Sequence, residues 1–238
     1  MKVLVLASLF AIGVGTTFAT TTDALQLISG GMTATIQDNG SCTGTGCTGL
    51  SGDINGTAGT DTITGSINGW DINIVSGTSH SPSLTPFGID ITSLAATCGA
   101  GTSGCASGLG GQLEILYSDI NFNVPVTGFQ TDYSVTITGG GNTSATESAY
   151  YNTVLFGRAN LIGSVGPFSK TNAGTFGSSA TPAANYSLTL DQVFTADIGG
   201  SSFSVDGNIT GVPEPGAVVL FGTVLALCAS RLRRRRAV

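Results

Sequence analysis

The chain has 238 residues, of which only 9% are charged, against about a quarter in an average soluble domain. Between residues 20 and 211 it carries two basic and thirteen acidic residues, a net charge of −11. A region of that sign repels nucleic-acid phosphate and anionic lipid, which excludes nucleic-acid binding as its function. Glycine, serine, threonine and asparagine supply its polar surface instead.

The N-terminus has the order of a secretory signal peptide. Lys2 gives a short positive region, residues 3–14 are almost entirely apolar, and a small-x-small cleavage site ends at Ala19. A buried N-terminal helix is the alternative, but such a helix would be interrupted by polar residues. We therefore predict export with cleavage after Ala19, and exclude residues 1–19 from the fold.

The cysteines of the exported region form two close pairs, Cys42 with Cys47 and Cys98 with Cys105, while Cys228 lies in the tail. Disulfides persist outside the cell, and each pair brackets a turn rich in Gly, Thr and Ser. Pairing within each close pair is therefore the preferred connectivity, and the other two connectivities stay open. A zinc site is disfavoured because neither gap has a usual knuckle spacing.

A glycine-rich segment, residues 56–65, looks like one degenerate copy of the aspartate-containing nonapeptide that binds calcium in β-rolls, with Asp61 as its acid. Such sites need stacked copies, because each ion lies between neighbouring turns. A glycine-rich approach to a strand is therefore the preferred interpretation, and we predict no cofactor, with calcium left open. The segment from Asp53 begins like an EF-hand loop but has Thr64 at the acidic twelfth position.

The sharpest local prediction is a β-hairpin at Asn68-Gly69, since a type I′ turn needs positive φ at both central residues. Its cross-strand pairs on one face are Ile67–Trp70, Gly65–Ile72 and Ile63–Ile74, and on the other Ser66–Asp71 and Thr64–Asn73. The first face is apolar and the second polar, so register and hydrophobic pattern agree. Trp70 is therefore expected in the core.

Other short runs also alternate with period two. Their apolar positions are Ile120, Phe122 and Val124; Val135 and Ile137; Leu188 and Leu190; and Phe203, Val205 and Ile209. One apolar and one Thr/Asn/Asp face per strand predicts antiparallel sheets packed face to face. Residues 20–211 are therefore predicted to form one all-β domain, a jelly-roll-like antiparallel β-sandwich, with long loops at residues 99–111 and 170–184.

The chain ends in a three-part tail, residues 212–238. Pro213, Glu214 and Pro215 come first, then an uncharged span at 216–230, and finally Arg231, Arg233, Arg234, Arg235 and Arg236. The order and position of these parts resemble the PEP-CTERM sorting signal of bacterial exosortase substrates. Two prolines also remove backbone donors, which predicts that the motif stays outside any sheet.

The resemblance implies that an exosortase-type membrane protease recognises the Pro-Glu-Pro motif and removes the tail, passing the body to the cell surface or extracellular matrix. Until then a single hydrophobic helix at 216–230 would hold the protein in the inner membrane, with the arginines in the cytoplasm as a stop signal. That helix spans about 22 Å, whereas the hydrocarbon core of a bilayer is about 30 Å thick. The helix can therefore cross only if the bilayer thins locally or the arginine side chains extend back to the membrane surface. A permanent anchor is the alternative.

Catalysis finds little support in the residues. His80 is the only histidine, it lies in a Ser/Pro-rich loop, and no Gly-x-Ser-x-Gly motif occurs. Glu114 and Glu147 could each pair with an aspartate, but nothing in the sequence brings two carboxylates together. An enzyme would need a carboxylate pair within about 10 Å in a cleft. We therefore predict a protein that is not an enzyme.

The predicted function is that of an exported surface or matrix structural and interaction protein, with the sorting protease and extracellular polysaccharide as partners. The alternative is a carbohydrate-binding β-sandwich module. In that alternative Tyr150 or Tyr151 stacks on a sugar. Because the two are adjacent, one should face inward and the other outward in a strand.

Overall fold

The structure, a computed structural model, describes residues 23–79, 87–99, 111–139, 141–182, 185–196 and 199–213, together with residue 223. The predicted signal peptide with Ala19, the hydrophobic span 216–230 apart from residue 223, and the five tail arginines therefore lie outside the described residues. Among the residues that are described, no helix combines the length and the apolar character that a membrane crossing requires.

The described parts of the chain form twelve β-strands in two six-stranded antiparallel sheets. They are β1 (Ala24–Ser29), β2 (Met32–Gln37), β3 (Thr60–Ile67), β4 (Trp70–Ser79), β5 (Gly88–Cys98), β6 (Gln112–Phe122), β7 (Val126–Thr138), β8 (Ser144–Asn152), β9 (Asn160–Phe168), β10 (Asn172–Ser178), β11 (Tyr186–Thr195) and β12 (Ser202–Pro213). Sheet A has the order β2-β1-β6-β11-β8-β9, and sheet B has the order β10-β7-β12-β5-β4-β3.

The two sheets enclose one apolar core. Phe203 of sheet B packs between Phe194 of sheet A, at a centroid distance of 4.8 Å, and Trp70, at 5.7 Å. All three rings are buried, so Trp70 is a core residue as predicted. The antiparallel β-sandwich is confirmed, and its jelly-roll form stays a prediction.

The predicted hairpin joins β3 to β4. Asn68 and Gly69 have φ angles of 48° and 82°, and Ile67 pairs with Trp70, which confirms the turn. The register shifts beyond Gly65, so that Ile63 pairs with Val75 and the predicted pairing with Ile74 is wrong. A β-bulge in β4 adds one residue, and such bulges bend the strand locally.

A segment distant in sequence lies beside this shift, on the other edge of β3. The segment 49–51 docks there, with Ser66 N donating to Gly49 O (2.9 Å) and Ser51 N donating to Thr64 O (2.9 Å). Gly65 has a φ of 132°, and a Cβ there would lie 2.0 Å from Gly49 O. The close approach therefore requires glycine at residue 65.

Two further expectations are corrected. The polar face of β11 is buried rather than solvated, because the loop 153–159 between β8 and β9 crosses it. In this contact Phe156 N donates to Ser118 Oγ (3.1 Å) and Ser187 Oγ donates to Val154 O (2.8 Å). The predicted loop 170–184 contains β10, whose polar composition suits an edge strand with one solvated side.

Both ends of the described sandwich lie at one end of the molecule, where three residues connect β6 to β7. Ala24, at the start of β1, pairs with Ser118 near the end of β6. Pro213, at the end of β12, pairs with Val126 at the start of β7. We call this the terminal end of the sandwich.

Candidate functional site

The outer face of sheet A carries an aromatic and hydroxyl surface at its β8–β9 edge. Tyr150 of β8 is half-buried and lies opposite Leu161 of β9, which is 54% exposed. Beside them Ser148 and Ser164 share a hydrogen bond of 2.8 Å across the same two strands. We call these four residues the tyrosine ledge.

The loop 153–159 forms a wall beside this ledge. From it, Arg158 makes ion pairs with Glu114 of β6 and with Asp191 of β11, the latter at 3.3 Å. Burial raises the pKa of Asp191 to about 7, and Arg158 opposes that rise. The structure thus brings two carboxylates together, but the guanidinium group engages an oxygen of each.

The neighbouring tyrosine has a different role. Tyr151 stacks on Phe129 at a centroid distance of 5.6 Å and packs against the core. One tyrosine of the pair therefore faces the core and the other faces outward, as strand alternation predicts. Tyr150 remains the candidate for stacking on a sugar.

A second cluster, at the terminal end, consists of three aspartates that we call the acidic centre. Asp23 directly precedes β1, Asp38 directly follows β2, and Asp61 is the second residue of β3. One carboxylate oxygen from each lies within 4.8 Å of the others. Burial together with the neighbouring carboxylates raises the pKa of Asp61 to about 9 and that of Asp23 to about 6.

Neighbouring groups position two of the three aspartates. Tyr117 donates its hydroxyl to Asp23 Oδ2 (2.9 Å), and Gly77 leaves room for the Tyr117 ring, which a Cβ there would approach to 2.5 Å. The Gly59 amide donates to Asp38 Oδ2 (3.2 Å). Carboxylate oxygens are the donors that hard divalent cations prefer.

One more carboxyl group lies between the two sheets. Glu147 of β8 is fully buried, accepts a hydrogen bond from Gln192 Nε2 (3.1 Å), and lies against Gly207 of β12. Burial raises the pKa of Glu147 to about 8. The group is therefore protonated in the folded protein at neutral pH.

The predicted site residues are only partly described. Cys42 and Cys47 form a disulfide, as predicted. Cys98 also takes part in a disulfide, and its predicted partner Cys105 lies outside the described residues. His80 likewise lies outside them.

The predicted sorting motif begins inside the sandwich. Pro213 is the last residue of β12 and pairs with Val126, so the prediction that the motif stays outside any sheet is wrong for this residue. The strand tolerates it because a proline at a strand end removes few ladder hydrogen bonds. Val212 also belongs to β12. Glu214 and Pro215 lie outside the described residues.

No protein-family model matches the chain, and the comparison with curated proteins found no match. One similar solved structure is the enzymatically active domain of tailspike protein 4 from bacteriophage CBA120, with 14% identity and a TM-score of 0.32. It covers 58% of this chain, and this chain spans only 19% of it.

Two further similar structures are carbohydrate-binding. The N-terminal cellulose-binding domain of β-1,4-glucanase C from Cellulomonas fimi has 17% identity and a TM-score of 0.25, covering 52% of this chain and 80% of its own. A carbohydrate-binding module of the β-sandwich superfamily has 11% identity and a TM-score of 0.31. The match covers 79% of this chain and 84% of the module. Similarity this distant assigns neither an activity nor a ligand.

Proposed function

We propose that this chain is an exported surface or matrix protein that binds extracellular polysaccharide, without catalysis, at the tyrosine ledge of sheet A. The observation that supports this proposal is the outward-facing Tyr150, which lies beside the hydrogen-bonded hydroxyls of Ser148 and Ser164 and near the loop 153–159. The other tyrosine of the pair is committed to the core, so Tyr150 is the ring left for a ligand.

The chemistry of the ledge suits a neutral sugar. A half-exposed tyrosine offers an apolar ring face for the C–H surface of a sugar ring and a polar hydroxyl at its tip. Ser148 and Ser164 can each donate and accept hydrogen bonds. The charge of −11 between residues 20 and 211 disfavours an anionic polymer.

The carboxylate pair near the ledge supports binding better than hydrolysis. Glu114 and Asp191 would be the candidate acid and base of a glycosidase. Arg158 holds both in ion pairs, which leaves neither placed to donate or accept a proton at a glycosidic bond. We therefore propose that the pair positions the loop 153–159 beside the ligand.

Export and sorting form the other half of the proposal. The tail resembles an exosortase signal, and the Cys42–Cys47 disulfide suits an oxidising compartment. Since Pro213 leaves the sandwich at the terminal end, a tail held in the inner membrane would leave the outer face of sheet A accessible. The protease partner and the transient membrane anchor are inferred from this resemblance alone.

The intact mass of the protein released from its native cells tests sorting. We expect a species that starts near Thr20 and lacks residues 216–238. A species that retains the apolar span and the arginines would contradict sorting and leave a permanently anchored protein.

Affinity electrophoresis of the purified protein in gels containing neutral polysaccharides tests the ledge. We expect retardation by at least one polymer, and a loss of affinity of at least tenfold, or about 1.4 kcal/mol, in Tyr150→Ala. Gln130→Ala is the matched control, because Gln130 is exposed on the outer face of sheet B. Equal weakening by both variants, or no retardation of the wild type, would overturn the proposed site, and release of reducing sugar would overturn the non-catalytic assignment.

A further inference from the structure

The acidic centre joins elements of both sheets at the terminal end. Asp23 and Asp38 flank the open end of the β1–β2 hairpin in sheet A, where Ala24 pairs with Gln37. Asp61 belongs to β3, the edge strand of sheet B. Any group that binds all three carboxylates therefore links the edges of the two sheets.

The centre holds buried carboxyl oxygens that hydrogen bonds do not satisfy. Asp61 has no exposed surface, and neither of its carboxyl oxygens has a hydrogen-bond partner. Asp23 is 1% exposed, and its Oδ1 also lacks a partner. A buried carboxyl oxygen left unpaired bears its full desolvation cost, so these atoms point to a cation as their partner.

Neither basic residue of the described ranges lies at the centre. Of its basic side chains, two lie in the described ranges: Arg158 pairs with Glu114 and Asp191, and Lys170 is exposed in the β9–β10 turn. The charged groups that act on Asp61 are all aspartates, Asp119 and Asp53 among them. The neighbourhood thus increases the negative potential at the centre.

We propose that Asp23, Asp38 and Asp61 bind one Ca²⁺ ion that ties the β1–β2 hairpin of sheet A to β3 of sheet B. The donors are all oxygen, which suits a hard cation and disfavours zinc, with its preference for nitrogen and sulfur. With Ca–O distances of about 2.3–2.6 Å, opposite ligands lie about 4.6–5.2 Å apart. Oxygens within 4.8 Å of one another are therefore close enough to share one Ca²⁺.

Magnesium is disfavoured by its coordination chemistry. Mg²⁺ demands near-ideal octahedral geometry and keeps most of its waters, whereas Ca²⁺ accepts an irregular shell of oxygen ligands. A Ca²⁺ site with few protein ligands is also weak, typically with a dissociation constant of about 0.1–1 mM in extracellular modules. Such a site fills only where calcium is abundant, which is the case outside the cell.

The loop around the centre is arranged before any ion binds. Asp53 accepts hydrogen bonds at 2.9 Å from the amides of Asn39 and Thr62, which fixes the residue after Asp38 and the residue after Asp61. The Cys42–Cys47 disulfide lies within the same connection from β2 to β3. Asp53 therefore acts as a positioning residue for two of the three ligands.

Thermal unfolding of the purified full chain, with Ca²⁺, with Mg²⁺ or with a chelator, tests this proposal. At a Ca²⁺ concentration about 100-fold above the dissociation constant we expect the Tm of the wild type to rise by about 5–10 °C. Asp61→Asn should lose this rise, and in chelator it should be at least as stable as the wild type because it no longer buries an unpartnered carboxyl group. Asp206→Asn, at an exposed position on β12, is the matched control and should respond to Ca²⁺ like the wild type.

Equilibrium dialysis with radioactive calcium gives a second readout that does not depend on the stability of a variant. One ion bound per wild-type chain, and none per Asp61→Asn chain, is expected. Three results would overturn the proposal: no bound calcium in the wild type, an equal Tm rise in wild type and Asp61→Asn, or an equal effect of Mg²⁺. None of these measurements involves a polysaccharide, so the ledge and the calcium site are tested separately.

Discussion

Two groups of carboxylates are buried in this sandwich, and they are balanced in different ways. The Arg158 cluster on the outer face of sheet A joins Glu114 and Asp191 through one guanidinium group. The acidic centre gathers three aspartates at the terminal end, and the groups that act on Asp61 there are carboxylates. The first group has a cation from the chain itself, and for the second we propose a cation from outside it.

The difference follows from the composition of residues 20–211. Two basic residues cannot balance thirteen acidic ones, so most carboxylates must be solvated, protonated or bound to a cation. A lone charge buried in a protein interior costs several kcal/mol, which excludes an ionised and unpartnered state. In such a chain, the position of the few bases identifies the carboxylates that need another partner.

The largest expected effect concerns Glu147, a buried carboxyl group with no ion pair among the described residues, whose pKa is raised by burial and further by the carboxylate of Asp206. Its pKa of about 8 in the folded protein lies above its ordinary value of 4.5. The folded state therefore keeps the proton that the unfolded state loses as the pH rises above about 4.5. The free energy of unfolding should fall between pH 4.5 and 8, by on the order of 3–5 kcal/mol in all, and then level off.

Glu147→Gln keeps the hydrogen bond to Gln192 but has no proton to lose, so its unfolding free energy should lack this contribution. Urea unfolding of both proteins across pH 4.5–8 measures the difference between the two curves. Asp71→Asn is the control, since Asp71 is exposed on β4 and should leave the slope unchanged. Equal slopes for the wild type and Glu147→Gln would mean that Glu147 does not hold its proton.

The sequence predicts local features of the fold well where neighbouring residues decide them. The Asn68-Gly69 turn requires positive φ at two adjacent positions, and the flanking alternation fixes its first pairs. The predicted register is wrong beyond Gly65, where residues 49–51, a segment distant in sequence, pair with the edge of β3. The burial of Ser187 and Thr189 has the same kind of cause, since the loop that covers them comes from another part of the chain.

The sequence indicates only one of the three aspartates of the acidic centre. Asp61 is the acid of a segment that looks like a calcium-binding repeat, but such a repeat needs further copies and is not the preferred interpretation. The missing signal was symmetry: Asp23 and Asp38 are equally distant from the Gly30-Gly31 turn, so a two-residue hairpin places them side by side. The third partner could not be found this way, because β3 belongs to the other sheet and only tertiary packing brings Asp61 to the hairpin.

The smallest expected effect concerns the Arg158 cluster. Arg158→Met should lower the free energy of unfolding at pH 7 by about 1–2 kcal/mol, less than for a fully buried pair, because 39% of the Arg158 side chain is exposed. The loss is limited further because the pKa of Asp191 would rise and the group would take up a proton. Lys170→Met removes the same charge from an exposed turn and should change stability little. Urea unfolding of the two variants separates the ion pairs from net charge, and equal losses would show that Arg158 acts only through the overall charge of the protein.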